Sequence, residues 1–230
     1  MHSQGDWDMT LEVFWFSGSA QSWRVLLTLE LKGVAYESRL LQASQGEHKA
    51  PDYLALNPRG KVPSLRDGDF VMSESLGIMR YIEARHPEPP LFGTTPEEKA
   101  RIAEAISEGE CYFMPAFLAL VVPIVTGGLP ERGAEVTAAV EAMLPELDRM
   151  ERRVACDGWL ATDALTAADV ATYPVMRALL RLARSDDAKA LTDGLEPFEQ
   201  ARPALADWIE RIAALPGHDR TYPPHWREAA

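Results

Sequence analysis

The chain has 230 residues, with 23 Lys or Arg against 35 Asp or Glu, a formal net charge of −12. Hydrophobic residues make up 47% and charged residues 25%, the balance of a globular chain rather than a disordered one. So acidic a surface repels polyanions, and two cysteines, Cys111 and Cys156, cannot build a disulfide framework or a Cys-rich metal centre. No nucleic acid, membrane or metal partner is therefore expected. No apolar run is read as approaching the roughly 20 residues of a membrane span. The opening MHSQGDWDMT lacks a basic-then-apolar signal pattern, so a cytoplasmic protein is expected.

The first strand is read over Leu11–Phe16, followed by a helix from Ala20 to Lys32 that Gly33 ends, and a second strand over Tyr36–Leu41. A β-α-β run of this kind pairs its strands in parallel by default. Asp67-Gly68 between Val62–Arg66 and Asp69–Met72 predicts a hairpin with positive φ at both turn positions. A helix over Glu74–Ala84 closes this half. Four prolines then fall within His86–Pro96, which neither helix nor central strand accepts. Downstream the apolar spacing is helical almost throughout. Ile102 to Phe113 reads as a helix that Pro115 kinks or ends. Val136 to Val154 reads as a helix bent at Pro145. Val170–Leu182 and Pro203–Leu215 complete the set. Two domains are expected, 9–86 and 98–230, joined by a linker over 87–97. The excess acid is uneven, net −3 over residues 1–90 and −9 over the rest.

Four segments carry chemistry-bearing residues. They are Ser17-Gly-Ser-Ala-Gln-Ser-Trp-Arg24 between strand and helix, and Glu47-His-Lys-Ala-Pro-Asp-Tyr-Leu54 running on to Lys61-Val-Pro63. Met72-Ser-Glu-Ser-Leu-Gly-Ile78 lies at a helix start, and Leu165-Thr-Ala-Ala-Asp169 in the helical half. In this order the chain resembles the cytosolic glutathione transferases over about residues 10–215. The resemblance is to bacterial-type, serine-type members with zeta-, theta- and phi-like features. It implies an α/β N-terminal domain of thioredoxin-like fold and an all-helical C-terminal domain. It also implies glutathione as co-substrate and a homodimer.

Serine-type members place the catalytic hydroxyl five residues before an Arg, which Ser19 and Arg24 match. A thiol with its usual pKa near 8.5 is mostly protonated at neutral pH, and the thiolate is the nucleophile. A hydroxyl donating to sulfur at a helix N-terminus favours the anion. Lowering that pKa by about 2 units takes roughly 2.7 kcal/mol. Taken alone, the segment favours Ser19 as a plain N-cap, and only the resemblance shifts the reading to the thiol, with Ser17 a second candidate for it. Ala20 and Gln21 replace the Ser and Cys of the zeta motif, which argues against zeta-type isomerase activity.

By the same resemblance, His48, Lys49 and Lys61 approach the glycyl carboxylate of glutathione. A cis Val62-Pro63 bond presents the Val62 backbone to its cysteinyl part. Glu74 takes the γ-glutamyl amine and Ser75 the γ-glutamyl carboxylate, with the helix N-terminus behind it. Thr166 and Asp169 form a capping box flanked by Leu165 and Val170, with no catalytic role. Trp15, Tyr112, Phe113, Met114, Phe117 and Trp226 are the candidates for an apolar pocket between the domains. Conjugation of the glutathione thiolate to a small, largely apolar electrophile is the expected reaction. A non-catalytic binding relative, or a glutathione-dependent isomerase, peroxidase or dehalogenase, would share the site.

Overall fold

The computed structural model describes residues 11–186, 188, 192 and 194–227, so residues 9, 10, 187, 189–191, 193 and 228–230 of the expected domains lie outside it. Strand β1 (Leu11–Trp15) runs inside the sheet with Leu11, Val13 and Trp15 buried. Helix α1 (Ala20–Leu31) leads to β2 (Tyr36–Leu40), which pairs with β1 in parallel, Leu11 beside Tyr36. β2 is one edge of the sheet, and its exposed Glu37 and Arg39 deter a further strand. Arg39 and Arg66 reach back to the buried Glu12 carboxylate. The hydrogen bond from Arg66 is the larger cause that holds Glu12 below the usual carboxylate range.

The polar stretch after β2 conceals a short helix, α2 (Pro51–Leu56). The hairpin comes next as β3 (Ser64–Asp67) and β4 (Phe70–Ser73), giving the sheet order β2-β1-β3-β4. Its turn differs from expectation. Asp67 pairs with Phe70, so Gly68-Asp69 are the central residues, and only Gly68 has positive φ (61°). That is the II′ pattern, in which glycine is needed at the first position alone. Helix α3 (Ser75–Arg85) then packs beside α1, completing the thioredoxin-like unit. The Pro-rich segment is stapled down. Lys32 Nζ bonds Glu83 at 2.6 Å and the carbonyls of His86 and Pro89 at 2.7 Å. Glu83 in turn accepts the N–H groups of Leu91 and Phe92.

The helical half begins with α4 (Pro96–Glu108), opened by a Thr95/Glu98 capping box. Pro115 neither ends nor breaks the helical path. A π turn over Gly109–Phe113 joins α4 to α5 (Met114–Val125), with Met114 N–H bonded five residues back to Gly109. The wider turn falls where an α-helical carbonyl would meet the Pro115 ring. By length and composition alone, Pro96–Val125 could cross a membrane, which corrects the reading that no run qualifies. Phe113, Met114, Ala116, Phe117 and Leu120 of this run are packed into the core. In α6 (Leu129–Asp157) the non-helical backbone falls at Arg132 (φ −117°, ψ 18°), not at Pro145.

Helix α7 (Ala167–Ala183) is the central helix of this half and packs against α1 across the domain boundary. Its capping box forms as expected. Asp169 also accepts Leu160 N–H and Trp208 Nε1 at 2.9 Å each, so one buried carboxylate ties three segments. Helices α8 (Phe198–Ala201), α9 (Pro203–Ala213), α10 (His218–Thr221) and α11 (Pro224–Arg227) complete the half. The last two bring the C-terminal segment back over α1.

Candidate active site

Ser19 is the N-cap of α1, with extended backbone angles (φ −73°, ψ 110°). Its Oγ accepts the Ser22 N–H at 3.2 Å and the Ser22 hydroxyl at 3.0 Å. A serine hydroxyl has two acceptor positions and one proton. Ser22 occupies both acceptor positions, so the capacity left to Ser19 is to donate. Capping and donation to a ligand are therefore compatible in one residue. The positive end of a 12-residue helix lies at the same point, where it favours a bound anion.

Ser17 is engaged differently. Its Oγ lies 2.5 Å from Nδ1 of His225, 208 residues away on α11. Gly18 between the serines has φ +82°, and a Cβ there would meet His225 Cε1 at 2.8 Å. Glycine is required by both the conformation and the close approach. The segment carrying His225 is held on the helix that carries Ser19. Trp23 Nε1 donates to Thr221 Oγ1 at 2.8 Å, Arg220 pairs with Glu30, and His218 Nε2 meets the Tyr173 hydroxyl at 2.8 Å. Burial, with Arg177 as a lesser cause, pulls the His218 pKa down.

Arg24 is buried and has two partners. Its Nε donates to Ser75 Oγ at 2.8 Å and its Nη1 pairs with Glu110 at 2.6 Å. It thus fixes the start of α3 from α1 and ties both to the π turn. Ser75 keeps its own proton to donate. Glu74 precedes it at φ 72°, the sole non-glycine positive φ among the described residues. Such angles are costly for a side-chain-bearing residue and recur at ligand sites. No side chain caps α3, so its first N–H groups remain donors for an anion.

The Val62-Pro63 peptide is cis. The turn before it is braced by Tyr53 and Asn57, which donate to the Lys61 carbonyl at 2.6 and 2.7 Å. Val62 precedes the β3–β4 ladder, which starts at Ser64. Lys49 Nζ donates to the Gly60 carbonyl at 3.2 Å, so the loop carrying His48 and Lys49 closes on the loop carrying Lys61. Lys49 and Lys61 are exposed. His48 stands edge-on to Phe16 at 5.0 Å, and its buried Nδ1 has no partner among the described residues.

A cavity of about 390 Å³ opens beside Ser17, Ser19 and Gln21. Its apolar wall comes from Phe117, Leu118, Val121 and Val125 of α5, from Ala178 and Leu182 of α7, and from Trp226. Of the six residues expected to line an apolar pocket, Phe117 and Trp226 line this cavity. Four other candidates do not line it: Met114 is buried at the start of α5 and accepts Gln21 Nε2 at 3.7 Å. Trp15 is buried, donates to Ser38 Oγ at 2.7 Å and lines a separate cavity with Leu26, Glu30 and Tyr36. Phe113 is buried in the π turn, and Tyr112 is 63% exposed and lines no part of this cavity. The π turn rotates that face away, a change of period that helical spacing does not reveal. Leu118, Val121 and Val125, absent from the expected pocket residues, have an i, i+3, i+7 spacing that marks one helix face. His225 and Arg181 carry no local signal at all.

The family descriptions of the glutathione S-transferase N-terminal domain and C-terminal domain match residues 18–85 and 110–216. Glutathione S-transferase F10 of Arabidopsis thaliana is 34% identical over 67% of this chain and 74% of its own length. Glutathione S-transferase 4 of Zea mays is 32% identical over 86% and 85%. The crystal structure of a glutathione S-transferase from the Antarctic clam Laternula elliptica superposes with a TM-score of 0.79. It is 28% identical and covers 95% of this chain and 94% of its own. With both domain descriptions matched in order and curated relatives matched over most of their length, the chain belongs to the glutathione S-transferase family.

Proposed function

We propose that this transferase binds glutathione along the edge formed by α3, the cis-proline turn and the His48 loop, and that Ser19 holds its thiolate. Glutathione is the co-substrate. Its γ-glutamyl end lies at α3, the amine on Glu74 and the carboxylate on Ser75 and the helix N–H groups. Its cysteinyl backbone pairs with Val62 beside Pro63. The glycyl carboxylate meets His48, Lys49 and Lys61, cations or donors in the nearly neutral half of an otherwise acidic chain. The bound thiolate attacks a largely apolar electrophile in the 390 Å³ cavity by substitution or addition.

The observation that carries this reading is the double donation from Ser22, which turns the Ser19 proton outward. The division into domains 9–86 and 98–230 is part of the same proposal. So is a homodimer, for which the half-exposed Phe70, stacked on Tyr81 at 4.9 Å, offers an apolar contact. A cytoplasmic location accords with two exposed, unpaired cysteines. The test is retention on immobilised glutathione, then turnover of a generic aryl halide. Wild type is expected to bind and turn over, with Ser19→Ala about a hundredfold lower in kcat/KM, the equivalent of about 2.7 kcal/mol. Wild type that is not retained refutes the binding site. Undiminished Ser19→Ala refutes the assignment of the thiol to Ser19.

A further inference from the structure

A serine that donates to a thiolate keeps its own proton, so the proton that leaves the thiol needs a separate destination. Among the described residues lining the cavity, His225 is the one side chain able to accept a proton near neutral pH. Arg181 is the other ionisable group there and is always charged. His225 also has a path to the thiol. Its Nδ1 sits 2.5 Å from Ser17 Oγ, and Ser17 stands two residues from Ser19 at the same cavity mouth. We propose that Ser17 and His225 form a proton relay that deprotonates the bound thiol, while Ser19 stabilises the thiolate produced. The inference rests on the glutathione site proposed above.

The step balances within the site. The thiol S–H bond breaks and its proton binds Ser17 Oγ. Ser17's former proton crosses to His225 Nδ1, leaving thiolate and imidazolium. The relay requires that Ser17 donate to Nδ1 at rest, with the neutral ring's proton on Nε2. His225 is exposed, so the imidazolium returns its extra proton to water. Arg181 of α7 lies over the Trp226 ring at 5.4 Å, and Arg227 shares α11 with His225. No carboxylate lines the cavity among the described residues, and the segment before Ser19 contributes only Ser17 and Gly18. Arg181, a fixed cation on the cavity wall, favours a thiolate there. Thr221, Arg220 and His218 anchor the segment to Trp23, Glu30 and Tyr173, so replacement of His225 should leave the fold intact.

The test separates the rate of thiolate formation from its extent. Wild type, Ser17→Ala and His225→Gln are mixed with glutathione in a stopped-flow instrument at pH 7, and the ultraviolet absorbance of the thiolate is followed. Both variants are expected to form thiolate at least about tenfold more slowly, the low end of what a positioned base contributes. Their final amplitude should match wild type, and free imidazole should restore the rate. Unchanged rates in either variant overturn the relay. A loss that imidazole does not rescue overturns it too, since that marks a structural role. Absence of any glutathione binding by wild type would instead refute the underlying site, a distinguishable result.

Discussion

Ser22 donates to Ser19 twice, from its N–H and from its hydroxyl. The second bond is optional for capping, since the backbone N–H alone satisfies the helix start. Its effect is on the proton of Ser19, which has no other direction to take than outward. Ser22→Ala should therefore leave stability within about 1 kcal/mol of wild type, the scale of one hydrogen bond. The thiol pKa of bound glutathione should rise and kcat/KM fall several-fold. Spectroscopic titration of bound glutathione checks this, and an unaltered thiol pKa would contradict it.

Arg24 acts at one remove from the proposed glutathione site. Its bonds to Ser75 and Glu110 set the start of α3 against the π turn. Arg24→Lys keeps the charge but loses the fork that reaches two partners. Its KM for glutathione is expected to rise about tenfold, roughly 1.4 kcal/mol, with a smaller change in kcat. Steady-state kinetics at varied glutathione decide it.

Asp169 is buried among four donor bonds from Leu160, Thr166 and Trp208. Burial raises its pKa while these bonds oppose the rise. Asp169→Ala leaves several buried donors unpaired and should cost about 3–5 kcal/mol in urea denaturation. Activity per folded molecule should be nearly unchanged, because the residue lies outside the cavity.

His218 makes stability depend on pH. Its folded pKa is held below the ordinary 6.5 by burial, so the native state favours the neutral ring. The stabilisation is full above pH 6.5 and is lost as pH falls through the folded value, since the unfolded chain takes the proton first. Thermal midpoints between pH 8 and 5.5 should fall for wild type and vary less for His218→Gln. Equal slopes for the two proteins would count against it.

Trp226 closes the apolar cavity beside Ser19. Trp226→Ala should raise KM for an aryl electrophile while leaving KM for glutathione nearly unchanged. Separate titrations of the two substrates show whether the effect divides this way.

Much of the fold and site was legible because it is local. The β-α-β run, the helix start at Ser19, the Thr166 capping box and the turn at Pro63 each depend on residues within a few positions of one another. What escaped depends on distance or on a change of period. His225 reaches Ser17 across 208 residues, and no spacing rule connects them. Tyr112 and Phe113 line no part of the cavity because the π turn shifts the helical register. Trp15 faces another cavity because its ring donates to Ser38 on β2, a cross-strand contact invisible in either strand alone.

The charge of −12 gains a sharper meaning from the site. It argues against polyanionic partners, yet the proposed co-substrate is itself an anion at neutral pH. The sulfur that matters arrives with that ligand, since Cys111 and Cys156 are exposed and neither lines the cavity. The most direct test is a pH titration of the thiolate absorbance of glutathione bound to wild type and to Ser19→Ala. A thiol pKa about 2 units below the free value of about 8.5 is expected in wild type, with a return close to that value in the variant. An equally depressed pKa in Ser19→Ala would contradict the role given to Ser19.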